Sequence, residues 1–231
     1  MHARFRFLLY VLIAWLGACA HPAPDWQHGA HRALHRHIDA YFAGNPGVAA
    51  YEWEQAQAQI ARSGDVEWHI QAELLRCAAL VASLDGADCP GVKTALQDAT
   101  PAQRAYWAYL RGAWNEMDPA LLPSHHRSIV AGAVAQAGST NVAVQEALRA
   151  IEDPLARLVA AGVLFPQHRL PPESIALLVD TASHQGWRRP LLAWLHVQQD
   201  MAHGDAAMQA RVQRRIDLVL RQAPANRNAP L

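Results

Sequence analysis

The stretch Ile70–Leu84, IQAELLRCAALVASL, carries a regular helical pattern. Its apolar side chains recur at steps of four, three, four and three residues, at Ile70, Leu74, Cys77, Val81 and Leu84. Because this spacing repeats on one face of an α-helix, the stretch predicts a helix with Cys77 on its buried face. Asp85-Gly86 follows directly and predicts the end of that helix.

The same kind of pattern continues on both sides of this stretch. Thr100-Pro101-Ala102-Gln103 has the composition of a capping box with proline at the first helical position, and Asp153-Pro154 predicts another helix start. No segment alternates polar and apolar residues as a half-buried strand would. The chain therefore predicts an all-α fold.

Composition supports that class and excludes others. Alanine, the best helix former, supplies 46 of the 231 residues. With 52% hydrophobic and 17% charged residues, and 20 basic side chains against 20 acidic ones, the chain is neither a disordered acidic tail nor a basic nucleic-acid binder. We expect an array or irregular bundle of about ten short helices, similar in architecture to an α-solenoid, although the roughly 34-residue period of a tetratricopeptide repeat cannot be aligned.

The first nineteen residues have the layout of an export signal. Arg4 and Arg6 precede the uncharged run Phe7–Leu16, FLLYVLIAWL, which is too short to span a bilayer. The run ends in Leu16-Gly17-Ala18-Cys19, which closely resembles the lipobox of bacterial lipoproteins. The resemblance implies cleavage before Cys19 and lipidation of its thiol. An ordinary signal peptide ending in an incidental cysteine, or an uncleaved anchor, are the alternatives.

The lipobox also implies a location. Residue 20 is alanine rather than aspartate, and by resemblance to the sorting rule of enterobacterial lipoproteins this favours the periplasmic face of the outer membrane. We therefore expect a signal peptide over residues 1–18, a tether over 19–29, one helical domain over 30–223 and a disordered tail over 224–231. The N-terminal lipid would attach the mature chain to the membrane.

Export also changes the interpretation of the two remaining cysteines. An even pair in an oxidising compartment predicts a disulfide between Cys77 and Cys89, and a turn at Asp85-Gly86 would let the chain double back to join them. Two buried free thiols are the alternative. A redox-active pair is disfavoured because the CxxC spacing is absent.

The search for chemistry finds few candidates. Esterase, zinc-protease and nucleotide-binding motifs are absent, so we expect a protein that is not an enzyme and needs no cofactor. His28, His31 and His35 would share one helical face if the helix already includes His28, which makes them a candidate zinc or copper site. A solvated first helix is the alternative.

One aromatic segment raises a further alternative. Trp107, Leu110 and Trp114 are predicted to share a helical face, and exposed aromatic rings can stack on sugars. Trp107 and Trp114 are therefore candidate contacts for a glycan or a partner. Packing in the core is the commoner use of such residues.

The segment from Glu73 to Cys89 is similar to one found in small all-α lipoproteins of proteobacteria, which supports the envelope location and the cysteine pairing. We expect a scaffold or interaction module that binds another envelope protein and no nucleic acid. Periplasmic metal binding and envelope glycan binding or catalysis are the alternatives. Residues 19–118 hold 7 basic and 12 acidic side chains, whereas residues 119–231 hold 11 and 8. The second half, with Arg188-Arg189 and Arg211, Arg214 and Arg215, could therefore present a basic face to an anionic partner.

Overall fold

The computed structural model describes residues 24–86, 88–135 and 142–221. Within these ranges the chain forms eleven α-helices and no β-strand, which confirms the predicted all-α class. The helices are α1 (Asp25–Ala43), α2 (Pro46–Ala61), α3 (Val66–Ala82), α4 (Pro90–Ala95), α5 (Pro101–Leu110), α6 (Ser124–Ala135), α7 (Val142–Ala150), α8 (Pro154–Leu164), α9 (Ile175–His184), α10 (Arg188–Met201) and α11 (Ala206–Leu220). None of these described helices combines the length and apolar character needed to cross a membrane.

The N-terminal predictions fall mostly outside this part of the chain. The signal peptide over residues 1–18, the lipidation site Cys19, Ala20 and the tail over 224–231 all lie beyond the described residues. The tether boundary is different: α1 begins at Asp25, so the last five residues predicted as tether are helical. Pro24 precedes the helix and its carbonyl accepts a hydrogen bond from Gln27 N at 2.9 Å. Trp26 packs edge to face on Trp68, with ring centroids 5.7 Å apart, which gives this first turn a tertiary contact.

The predicted helix starts are confirmed where the sequence offers a cap. The Thr100 hydroxyl accepts a hydrogen bond from Gln103 N at 3.2 Å, and the Gln103 side chain accepts one from Thr100 N at 3.0 Å. Asp153 caps α8 by accepting from Ala156 N at 2.6 Å, with Pro154 in the first turn. Local side-chain hydrogen bonds therefore set these two boundaries, as their residue types predict.

Helix α3 is the centre of the fold and has the face that its apolar spacing predicts. Ile70, Leu74, Cys77 and Val81 are all at most 3% exposed. Leu84 lies past the end of the helix in the left-handed region, with φ 58°, and packs against the core. Helix α3 contacts α1, α2, α4, α5 and α8, so its burial comes from elements far apart in the sequence.

The packing is that of an irregular bundle. Helices α1 and α2 form an antiparallel hairpin around Gly44, whose φ of 79° suits glycine. Helices α9, α10 and α11 pack in succession, but α3 also packs on α8 and α1 on α10. In a solenoid each unit would contact only its neighbours. Of the two predicted architectures, these long-range contacts favour the bundle.

Candidate functional site

The three predicted metal ligands do not form a metal site. His28, His31 and His35 are all exposed on α1, and only His31 and His35 meet, with ring centroids 4.3 Å apart. No group of three or more His, Cys, Asp or Glu side chains among the described residues is arranged to hold an ion. The physical reason is helical rise: His28 and His35 are seven residues apart, roughly 10 Å along the axis, so the His28 ring does not join the His31–His35 pair.

The predicted aromatic pair is divided between two elements. Trp107 lies on α5, which ends at Leu110, so Trp114 falls in a separate 3₁₀ turn and the predicted shared face does not form. Trp107 is 3% exposed beneath the Arg111 guanidinium, and Trp114 is half-buried beneath that of Arg169. Neither ring forms the open platform that stacking on a sugar requires.

The predicted cysteine pairing is confirmed. Cys77 and Cys89 form a disulfide with Cα atoms 5.8 Å apart, and the two residues are 4% exposed or less. Cys89 is the residue immediately before α4, so the bond joins the C-terminal half of α3 to the start of the next helix. It stabilises one wall of the bundle and is buried away from solvent.

The described surface contains an open cleft of about 640 Å³ between α3, α5, α6 and α8. Its volume falls in the range of small-ligand sites. Most of its walls are apolar, and small alanines from three of these helices leave space between larger neighbours. The lining residues are Gln71, Leu74, Leu75, Ala78, Ala102, Gln103, Tyr106, Leu121, Leu122, Pro123, His125, His126, Asp153, Leu155, Ala156 and Val159.

Two of the helices that flank this cleft pack very closely on each other. Helices α3 and α8, which both contribute lining residues, meet closely at Gly162. A Cβ atom added at Gly162 would lie inside van der Waals contact of the Val81 carbonyl oxygen and 2.8 Å from its carbonyl carbon. Glycine at 162 is therefore what lets the two backbones approach.

One wall of the cleft is an aromatic cluster built around His126. The His126 ring centroid lies 4.6 Å from that of Tyr109, 5.7 Å from that of Tyr106 and 4.3 Å from that of His125. Burial, with His125 as a second cause, lowers the pKa of His126 to about 3, so its imidazole is neutral at ordinary pH. Burial likewise raises the pKa of the Tyr109 hydroxyl well above its ordinary value.

Two polar atoms of this wall are buried without hydrogen-bond partners. These are Nδ1 of His126, which is 2% exposed as a residue, and the hydroxyl oxygen of Tyr109, which is fully buried. Buried polar groups are normally paired, and leaving one unpaired costs roughly 1–3 kcal/mol. The cluster therefore carries unused hydrogen-bonding capacity next to the cleft.

The cleft continues into a second, more polar hollow of about 270 Å³. Gln71 and Gln103 line both, and Asp65, Glu67 and Trp68 complete the second. Gln103 donates from Nε2 to the Glu67 carbonyl oxygen at 3.0 Å, which fixes the junction between them. Among the described residues that line either hollow there is no Lys or Arg, so the rim acids are not neutralised there.

The lining has a limited chemical repertoire. It contains no Ser, Thr or Cys among the described residues, and its side-chain hydroxyl is the phenol of Tyr106. It offers apolar and aromatic surface, the imidazoles of His125 and His126, two amides and carboxylates at the rim. These groups suit binding of an apolar object that carries positive charge.

Sequence reasoning missed this cleft. The pair His125-His126 and the Tyr106–Trp107 segment are visible as separate features, but they lie about twenty residues apart. The alanines that line the site, Ala78, Ala102 and Ala156, come from three different helices, so no local pattern links them. Comparisons of this chain with family models, with curated proteins and with solved structures found no match.

Proposed function

We propose that this chain is a lipid-anchored envelope protein that acts as an interaction module, not an enzyme, and that its cleft holds an apolar, positively charged segment of another envelope protein. The lipobox resemblance at Cys19 supports the anchor and, with Ala20, the periplasmic face of the outer membrane. The cleft supports the interaction. It is the single observation that carries the proposal, because it combines apolar walls with an acidic rim.

Charge complementarity defines the occupant. Asp65, Glu67 and Asp153 edge the two hollows, and none of them forms an ion pair within the described residues. Apolar side chains of a partner would be buried in the larger hollow. This burial would contribute roughly 25 cal/mol of binding free energy for each Å² of apolar surface removed from water. Lysines or arginines beside them would meet the rim, which excludes acidic segments and selects cationic ones.

This role does not require a small-molecule ligand. Helix-in-groove recognition buries one apolar helical face and leaves the flanking charges at the edge. The cleft and its polar extension together offer a groove of that kind, with Leu121 at its rim 41% exposed. We therefore propose this groove as the surface that serves the predicted scaffold role.

Photocrosslinking in intact cells tests the proposal. Leu121 is replaced by p-benzoylphenylalanine, with Val48 as the matched control because it is 54% exposed on α2, away from the cleft. We expect one adduct from position 121, none from position 48, and a crosslinked peptide whose apolar residues are flanked by Lys or Arg.

Variants of the cleft decide whether the adduct depends on it. Ala102→Trp should fill the cleft and abolish the adduct, whereas Ala50→Trp, at another exposed helical alanine, should leave it. Asp65→Asn with Asp153→Asn keeps both helix caps but removes two negative charges, and should weaken the adduct. An adduct that survives Ala102→Trp, or one whose peptide is acidic, would contradict the proposal.

A further inference from the structure

The last helix has a packing face and an opposite face of different character. Val212 and Ile216 of α11 are buried at 2% and 1% exposure and pack the helix on α10. Two turns on the other side carry Arg211, Arg214 and Leu218, which are exposed, and Leu218 is 65% exposed. This side is therefore basic, with one large apolar residue in its middle.

Two more arginines extend the same stripe. Arg215 lies beside Arg211, one turn along the helix and half-buried, and Arg221 follows directly after the helix end and is exposed. Steps of three and four residues connect all five positions on one face. We define the basic stripe as Arg211, Arg214, Arg215, Leu218 and Arg221.

The charges of the basic stripe are not used inside the protein. None of its four arginines takes part in the ion pairs found among the described residues. The acidic residue of α11, Asp217, is a helical neighbour of Arg214 and Arg221, but it accepts a hydrogen bond from Gln213 and forms an ion pair with neither arginine. Four positive charges on one helical face are therefore available to something outside the described chain.

The other predicted basic pair, Arg188-Arg189, differs from the basic stripe because both of its arginines are used in contacts inside the protein. Arg188 donates to the Val219 carbonyl oxygen at 3.1 Å. Arg189 donates to the Tyr41 carbonyl oxygen at 3.1 Å and pairs with Asp85 at 3.3 Å. These two arginines hold helices together, so the basic face expected for the second half of the chain reduces to α11.

We propose that the basic stripe of α11 binds an anionic phospholipid surface. Guanidinium groups match phosphate oxygens in geometry as well as charge. Each basic residue near an anionic bilayer strengthens binding by roughly fivefold, and Leu218 at the centre of the stripe is placed to enter the headgroup region. An acidic protein partner is less favoured, because a stable interface of about 1,000 Å² or more needs several apolar anchors and the stripe offers one.

This inference is independent of the cleft and of the N-terminal lipid. With the lipid present, it gives the chain a second attachment to the same kind of surface, through the opposite half of the sequence. Charge steering rather than a fitted pocket supplies the attraction, so the contact should weaken as salt rises.

Crosslinking to lipid in vesicles tests it with the full chain, in which Cys19→Ser removes the proposed N-terminal lipid. Position 218 carries p-benzoylphenylalanine, and position 48 is again the control. Vesicles are in excess and contain either phosphatidylcholine alone or phosphatidylcholine with roughly one third phosphatidylglycerol. We expect phospholipid adducts, identified by mass, at position 218 only, only with phosphatidylglycerol, and lost at about 0.5 M salt.

A triple variant separates the stripe from total charge. This variant, in which Gln replaces Arg211, Arg214 and Arg215, should form about 100-fold fewer lipid adducts at limiting lipid. The control removes three other exposed arginines, Arg32, Arg127 and Arg149, and should lower it only slightly. Equal adducts on both vesicle types, an unchanged triple variant, or adducts to a second protein chain in place of lipid would each overturn the proposal.

Discussion

Replacing Gly162 by alanine probes the contact that spaces the two helices flanking the cleft. The new methyl group has no room, because the obstacle is the backbone carbonyl of Val81 and not the end of a flexible side chain. Gly47 is the matched control: it also lies in a helix, at the start of α2, but a Cβ there would meet nothing within 4 Å.

Two opposing effects set the magnitude. Alanine gains about 1 kcal/mol over glycine in a helix interior from backbone entropy. Overpacking a close contact costs typically 1–3 kcal/mol, and a backbone obstacle puts Gly162→Ala toward or beyond the upper end. We expect a net loss of about 2 kcal/mol for Gly162→Ala and a gain of about 0.5–1 kcal/mol for Gly47→Ala.

Urea unfolding followed by tryptophan fluorescence measures both variants, with the slope of the transition used to check that unfolding remains two-state. For a chain of this size the loss corresponds to a fall of about 4–8 °C in Tm. A Gly162→Ala protein as stable as the parent would refute the close approach of α3 and α8. So would a loss of the same size at Gly47, since that would reflect a general cost of the substitution.

Three further outcomes are expected. Changing Cys77 and Cys89 together to Ala should lower the free energy of unfolding by about 3 kcal/mol, because the disulfide closes a loop with a sequence separation of 12 residues. Reductant should destabilise the parent protein in urea and leave the variant unaffected. An effect of reductant on both proteins would refute the disulfide. His126 takes up a proton near pH 6.5 in the unfolded chain, but only near its pKa of about 3 in the folded protein. The free energy of unfolding therefore decreases as the pH falls below about 6.5. Between pH 7.5 and 5 the parent should therefore lose about 2 kcal/mol more than His126→Phe in urea titrations, and equal losses would contradict a buried neutral imidazole. Changing Cys19 to Ser should move the protein out of the lipid-modified fraction, measured as the mass of the N-terminal peptide, whereas an unchanged mass would remove the proposed anchor.

Local patterns in the sequence were reliable where a single helix determines the outcome. The buried face of α3 follows from apolar spacing, and the caps at Thr100 and Asp153 follow from side-chain chemistry within four residues. The pairing of Cys77 with Cys89 was also accessible, because a short turn brings them together. Each of these features depends on neighbours in sequence.

Predictions were wrong where they assumed that a helix continues without a break, or that several side chains of one helix converge on one ion. Trp107 and Trp114 were placed on one face, but the helix ends at Leu110 and separates them. The histidines of α1 share a face, yet the rise of the helix keeps His28 and His35 apart. The start of α1 was placed late because its first turn is stabilised by Trp26 on Trp68, a contact invisible in the local sequence.

The sequence by itself determined the class of fold, the central helix and the disulfide. Only the tertiary structure decided where the concave surface lies and which charges are free. Lining residues of the cleft come from α3, α5, α6 and α8, and only long-range packing, which includes the close contact of Gly162 with Val81, brings these helices together. Likewise, Arg188 and Arg189 look as available in sequence as Arg211 and Arg214, but backbone carbonyls and Asp85 satisfy the first pair and leave the second to solvent. Helical periodicity is a property of neighbouring residues, whereas a cavity or an unpaired charge is a property of what packs around them.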